Sequence, residues 1–158
     1  MKTPAIAFLA GLFLSFPAAA NEPAPRPCGD PAKPCAGFKE HDLSFPLPTD
    51  AVARTHAQST QFYAVMLLTA ERCLITENRR KEVQAQFPGR KVFAMRFQCD
   101  EKVENNVTYS NVNDKFAFLA VYAGEDREAA EALLGQARKM GKFAGANLRR
   151  MHVVYVYP

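Results

Sequence analysis

The sequence has 158 residues and a formal net charge of +4, and 48% of its residues are hydrophobic, including 12 phenylalanines. This length and composition exclude a disordered chain and are typical of one domain with a hydrophobic core. The modest charge does not indicate a nucleic-acid-binding protein.

The first residues have the three parts of a secretory signal peptide. Lys2 provides a short basic region, residues 5–16 form an apolar segment, and residues 18–20 are alanines that match a cleavage site. The apolar segment is too short to span a bilayer comfortably. We therefore predict a signal peptide at 1–20 and a mature chain in the periplasm or secreted, with no stable membrane insertion after cleavage.

A segment rich in proline and cysteine follows at 21–60. Residues 21–34 contain five prolines, and this density prevents helix formation and regular strand pairing, so we expect an extended stretch on the surface. Further along, residues 41–48 alternate in polarity and contain two prolines. They fit either an edge strand or a docked loop.

The first strand–helix–strand unit begins with an apolar run at 62–70, which is typical of a central strand that is buried on both faces. Thr76 is a candidate N-cap for a helix at 77–87, and we interpret the basic run 79–81 on this helix as a solvated face. Residues 91–99 then alternate as a half-buried strand.

The second unit has the same order. The apolar run 116–123 predicts a strand, residues 127–140 an amphipathic helix, and residues 152–157 a last strand. Right-handed crossovers in both units lead to an α+β fold, a ferredoxin-like βαββαβ domain at 61–158. Its four-stranded antiparallel sheet carries both helices on one face.

Four cysteines follow the signal peptide, and an even number in an oxidising compartment indicates two disulfides. Turn-forming residues between Cys28 and Cys35 favour that local pair. Cys73 lies just beyond one strand of the first βαβ unit and Cys99 at the end of the other; because these two strands run parallel, both cysteines lie at the same edge, and we pair them as well. The chain has no C-x-x-C pair and its histidines lack ligand spacing, so we expect no metal and no cofactor.

The stretch 118–134 resembles the SPOR (sporulation-related repeat) family, with its strand, short acidic turn and helix rich in Glu and Ala. The closing stretch 146–154 is similar to the family's return into the last strand. The resemblance implies a periplasmic module of two βαβ halves that binds peptidoglycan glycan strands non-covalently.

Strand alternation places several aromatic side chains on the sheet face away from the helices. Aromatic rings beside hydrogen-bonding groups suit sugar recognition. We therefore hypothesise a glycan site in which Phe118, Tyr122 and Tyr155 stack on sugars and Arg96 and Gln98 donate or accept hydrogen bonds. The alternative is that the 21–60 segment covers this face and the aromatic side chains are core.

Catalytic motifs are missing from the sequence, so we predict no enzyme activity. A second hypothesis is a periplasmic protein-interaction module, such as an inhibitor or immunity-type protein, that binds an acidic partner. The basic residues Lys139, Lys142, Arg149 and Arg150 would form its contact surface. An exposed aromatic sheet favours glycan binding, and a covered sheet favours the protein partner.

Overall fold

Regular elements fill most of the part of the chain that the computed structural model describes, which comprises Arg26, Cys28 and residues 38–47, 55–95 and 106–157. In chain order they are β1 (His56–Gln58), β2 (Phe62–Glu71), α1 (Glu77–Gln86), β3 (Val92–Met95), β4 (Val107–Tyr109), β5 (Phe116–Gly124), α2 (Arg127–Lys139), β6 (Asn147–Met151) and β7 (Val153–Val156). The predicted signal peptide at 1–20 and most of the proline-rich segment lie outside the described residues.

Four strands form an antiparallel sheet in the order β3-β5-β2-β6. The central strands β2 and β5 pair from Tyr63 opposite Gly124 to Glu71 opposite Phe116. Both are nearly continuously apolar because each is covered on two faces. The α+β class, with two helices and a four-stranded antiparallel sheet, is confirmed. The strand order is compatible with the predicted ferredoxin-like arrangement.

Both helices pack on the same face of this sheet. The N-cap Thr76 of α1 accepts a hydrogen bond from the backbone N–H of Arg79 at 3.2 Å. The N-cap Asp126 of α2 accepts one from the N–H of Ala129 at 2.7 Å. Such caps satisfy N–H groups that have no partner within the helix. The buried side chains of this first core include Val83, Phe87, Val92, Leu119, Val121, Leu133 and Phe143.

A second sheet of three short strands covers the opposite face of the four-stranded sheet. Its order is β1-β7-β4, again antiparallel. Ala57, Tyr155 and Val107 lie side by side across it and face inward. The second core between the sheets includes the buried side chains Leu43, Phe45, Phe62, Met66, Phe93, Met95, Phe118, Met151 and Val153. The described chain therefore has three layers: helices, four-stranded sheet and three-stranded sheet.

The last strand differs from its prediction. Residues 152–157 were expected to complete the four-stranded sheet, but β6 does so, pairing Met151 with Phe62 and Asn147 with Met66. After His152 the chain passes into the second sheet as β7. Sequence analysis did not identify β6 because its residues are mostly polar. An edge strand tolerates polar side chains, whereas a central strand does not.

Residues 38–47, which we call the strap, form a docked loop. The backbone N–H of Ala94 in β3 donates to the carbonyl of His41 at 2.9 Å, and the N–H of Leu43 donates to the hydroxyl of Tyr109 at 2.9 Å. Ser44 forms an isolated antiparallel bridge with Cys28. Of the two alternatives left open for this stretch, the docked loop is the one found.

Candidate functional site

Phe118, the first residue of the hypothesised glycan site, is part of the second core. It is 2% exposed, and its ring lies 5.8 Å from that of Phe93 and 5.6 Å from that of Tyr109, both edge-on. A ring enclosed in this way contributes packing energy to the fold and offers no face to a ligand. Of the two alternatives for this sheet face, the covered one is found: the strap and β1, which belong to the 21–60 segment, lie over it together with β4 and β7.

The two tyrosines of the hypothesised site are half-buried and pack against the same second core as Phe118. The ring of Tyr122 lies 5.3 Å from that of Phe62, and burial, helped by the charge of Glu125, raises its pKa. Tyr155 packs edge-on against Phe38 of the strap, with ring centroids 5.6 Å apart. The two remaining predicted residues, Arg96 and Gln98, lie outside the described residues.

A buried cation that sequence analysis did not single out holds the strap to the helix layer. Arg80 is 4% exposed, although the run 79–81 was interpreted as a solvated face; for Arg80 that interpretation is wrong. Its Nε donates to both carboxylate oxygens of Glu77 at 3.0 Å. Its Nη1 donates to the carbonyl of Val92 at 3.3 Å, and its Nη2 to the carboxylate of Glu40 in the strap at 3.3 Å.

Two neighbouring strap residues are also titratable: His41 is buried and Asp42 is partly buried. Burial lowers the pKa of His41 to about 4, against the opposing charge of Glu77, and it raises the pKa of Asp42 to about 6. His41 is 8% exposed. The strap is held across the edge of β3 by the pair of Arg80 with Glu40 and by the backbone hydrogen bond from Ala94 to His41.

The predicted basic patch is only partly one surface. Arg149 and Arg150 alternate along β6 and so point to opposite faces of the sheet. Arg149 is engaged, because its Nη1 donates to the carbonyl of Asn111 at 2.9 Å. In the described part of the chain, Lys139, Lys142 and Arg150 form neither ion pairs nor side-chain hydrogen bonds.

An exposed apolar side chain lies among these cations. Met140 follows α2 and is 41% exposed. The Nε of Arg138 donates to the carbonyl of Ala146 at 3.0 Å, which ties the end of α2 to the start of β6. We call Lys139, Met140 and Lys142, which lie at the end of α2 and in the loop after it, the cationic surface; Arg150 lies apart from it, opposite Tyr63 towards the end of β6. The cationic surface combines unpaired positive charge with apolar contact area, two features of protein-binding surfaces.

The described cysteines are not free thiols. Cys28 and Cys73 are both disulfide-bonded, and the described residues contain no free cysteine. The predicted partners Cys35 and Cys99 lie outside those residues, so the pairing remains a prediction. Within the same residues, no group of His, Cys, Asp or Glu is arranged to hold a metal ion. None of the described helices is long and apolar enough to cross a membrane.

No protein-family model matches the chain, and searches of the curated proteins and of the solved structures found no significant match.

Proposed function

We propose that the chain is an exported binding module without enzyme activity that recognises an acidic surface on a partner protein, as an inhibitor or immunity-type protein would. The observation that carries the proposal is the closed sheet face. The hypothesised glycan site required an open aromatic face. In the structure, three strands and the strap lie over Phe118 and Phe93. Stacking on a sugar ring needs an accessible ring face, and this sheet does not offer one.

The architecture is consistent with this proposal. We assign the four-stranded layer to the ferredoxin-like arrangement and regard the three-stranded sheet and the strap as an added covering layer. In the SPOR-like binding mode implied by the sequence resemblance, the sheet itself is the ligand platform. With the sheet covered, a ligand must instead bind at an edge, a helix or a loop.

Among the described residues, the cationic surface is the best candidate for that contact. Its two lysines have no carboxylate partner within the described chain, so pairing them with an acidic partner breaks no internal ion pair. Exposed charges contribute little affinity individually, about 0.2–1 kcal/mol for each pair, but they steer association and select the partner. The apolar side chain of Met140 adds contact area that adapts to different surfaces.

The test is capture of a partner with a matched pair of charge-reversal variants. The protein is produced with its own N-terminus, immobilised and exposed to periplasmic extract of its host, and the captured proteins are identified by mass spectrometry. Affinity for the purified partner is then measured by calorimetry at two salt concentrations. We expect the Lys139→Glu/Lys142→Glu variant to lose at least about tenfold in affinity, and added salt to weaken wild-type binding.

The control is the Lys81→Glu/Lys115→Glu variant, which changes the net charge by the same amount at two other exposed lysines. It should bind like the wild type. Equal losses in both variants would show that only net charge matters and would contradict a defined surface. Retention on purified sacculi, unaffected by either variant, would favour glycan over protein as the ligand.

A further inference from the structure

The exposed edge of β6 extends the cationic surface. In the order β3-β5-β2-β6, β6 has β2 on one side and no strand of the described chain on the other. A strand in this position carries outward backbone N–H and C=O groups that can pair with an added strand.

Hydrogen bonds at the end of β6 identify the outward residues. The carbonyl of Arg150 accepts from the side-chain amide of Asn111 at 3.2 Å, and the carbonyl of His152 accepts from the backbone N–H of Ser110 at 3.0 Å. Both carbonyls therefore point away from β2. Because backbone direction alternates along an antiparallel strand, Leu148 also points outward. The N–H and C=O of Leu148 and the N–H of Arg150 have no partner in the described residues.

The charges on this edge restrict which strand can pair with it. Arg150 lies on the helix side together with Leu148, Arg149 lies on the other side, and Lys142 is in the loop that leads into the strand. Positive side chains on an edge prevent pairing with a second copy of the same strand. The same charges attract an acidic strand, so they exclude a second copy of β6 and select an acidic partner.

We propose that the β6 edge binds an extended acidic segment of a partner protein as an added strand, through the free N–H and C=O of Leu148 and the free N–H of Arg150. This inference rests on the proposed function, since it specifies how the cationic surface contacts its acidic partner. Backbone pairing would fix the position of the segment, and its carboxylates would lie along Arg150 and Lys142. This mode is β-strand addition to a sheet edge.

The probe is a synthetic eight-residue peptide of alternating aspartate and valine, titrated into the ¹⁵N-labelled full chain. The readout is amide hydrogen exchange. At saturating peptide, the amides of Leu148 and Arg150 should exchange at least about tenfold more slowly, because they become hydrogen-bonded. The amides of Asn147 and Arg149, which face β2, should change little. A lysine–valine peptide of the same length is the control and should not bind.

The outcomes separate the two proposals. A peptide that binds and protects Leu148 and Arg150, and that fails to do so when the peptide bonds facing them are N-methylated, supports strand addition. A peptide that binds without protecting these amides, but loses affinity in Lys139→Glu/Lys142→Glu, overturns strand addition and leaves the cationic surface as the binding site. A peptide that does not bind at all also overturns strand addition; partner capture then tests the proposed function separately.

Discussion

The Nε2 atom of His41 lies 3.7 Å from the Oδ1 atom of Asp42, and the pKa values of the two side chains move in opposite directions. Burial keeps His41 neutral down to about pH 4 and keeps Asp42 protonated up to about pH 6. Lys39, Lys91 and Arg80 further oppose protonation of His41. The strap thus contains two titratable groups whose pH effects on folding have opposite signs.

The signs lead to a prediction for single variants at this pair. The pKa of His41 is depressed from 6.5, so stability is lost as pH falls from about 6.5 towards 4. The pKa of Asp42 is raised from 3.8, so stability is gained as pH falls from about 6 towards 4. We expect the two effects to cancel largely in the wild type. Asp42→Asn should lose on the order of 1–3 kcal/mol on acidification relative to the wild type, and His41→Gln should gain.

Urea denaturation at pH 7, 5.5 and 4 measures these differences. Comparing each variant with the wild type at the same pH removes the contribution of the other titrating groups. If both variants followed the wild-type pH profile, the two pKa shifts would not be those of the folded protein.

Two buried tyrosine hydroxyls should respond differently to removal. The hydroxyl of Tyr109 accepts the backbone N–H of Leu43, whereas that of Tyr157 is buried with no hydrogen-bond partner in the described structure. Tyr109→Phe leaves that N–H unsatisfied and should cost about 1–3 kcal/mol of unfolding free energy. Tyr157→Phe removes an unpaired polar atom and should be neutral or slightly stabilising. Thermal and urea denaturation of both variants check this, and a clear loss in Tyr157→Phe would contradict it.

The adjacent arginines of α1 form another matched pair. Arg79 forms an exposed ion pair with Glu82 at 2.9 Å, while Arg80 is buried against Glu77 and Glu40. Arg80→Leu should cost about 2–4 kcal/mol, because Glu77 loses the cation that stabilises its charge. Arg79→Leu should change stability by at most about 0.5 kcal/mol. Equal effects of the two substitutions in urea denaturation would mean that Arg80 is solvated after all.

Two phenylalanines on one face of β5 test the closed sheet directly. Phe118 is inside the second core, whereas Phe116, two residues earlier, is 38% exposed. Phe118→Ala should cost about 3–5 kcal/mol, since it leaves a cavity between the sheets. Phe116→Ala should cost well under half as much. If Phe118→Ala left the melting temperature unchanged, Phe118 would not be a core residue, and the result would support the hypothesis of an open aromatic face.

The cysteine pairing is checked by peptide mapping under non-reducing conditions. We expect Cys28–Cys35 and Cys73–Cys99, and a peptide that joins Cys35 to Cys73 would exclude this arrangement. The loop-entropy relation assigns about 3.6 kcal/mol to the longer loop and about 2.5 kcal/mol to the shorter. Replacing Cys73 and Cys99 by serine should therefore lower the urea midpoint more than replacing Cys28 and Cys35.

The elements that sequence reasoning located are those with local signals. α2 was predicted at 127–140 and spans Arg127–Lys139, because its acidic start, basic end and apolar stripe all lie within its own sequence. α1 likewise begins after the predicted cap Thr76. Caps and periodicity are properties of neighbouring residues, so a single sequence is enough to reveal them.

The features that sequence reasoning missed depend on residues that are far apart in the sequence. β1 and β4 have three residues each, too few to show a period of two, and they exist because β7 lies between them. Arg80 looked solvated because Glu40, one of its carboxylate partners, is forty residues away. The same applies to the candidate glycan site. The side chains of β5 were assigned to the correct face of the sheet, but no nearby residue indicated that a second sheet covers that face.

The passage of the chain from one sheet to the other at His152 has a consequence for the order of folding. β7 is the central strand of the outer sheet, and it pairs His56 with Val156, one hundred residues apart in sequence. Such a long closure is slow, and neither β1 nor β4 has another strand to pair with in the described chain. Because the chain is synthesised from its N-terminus, the outer layer closes last. Until residues 153–156 have arrived, the aromatic side chains of β3 and β5 remain accessible to chaperones and to aggregation.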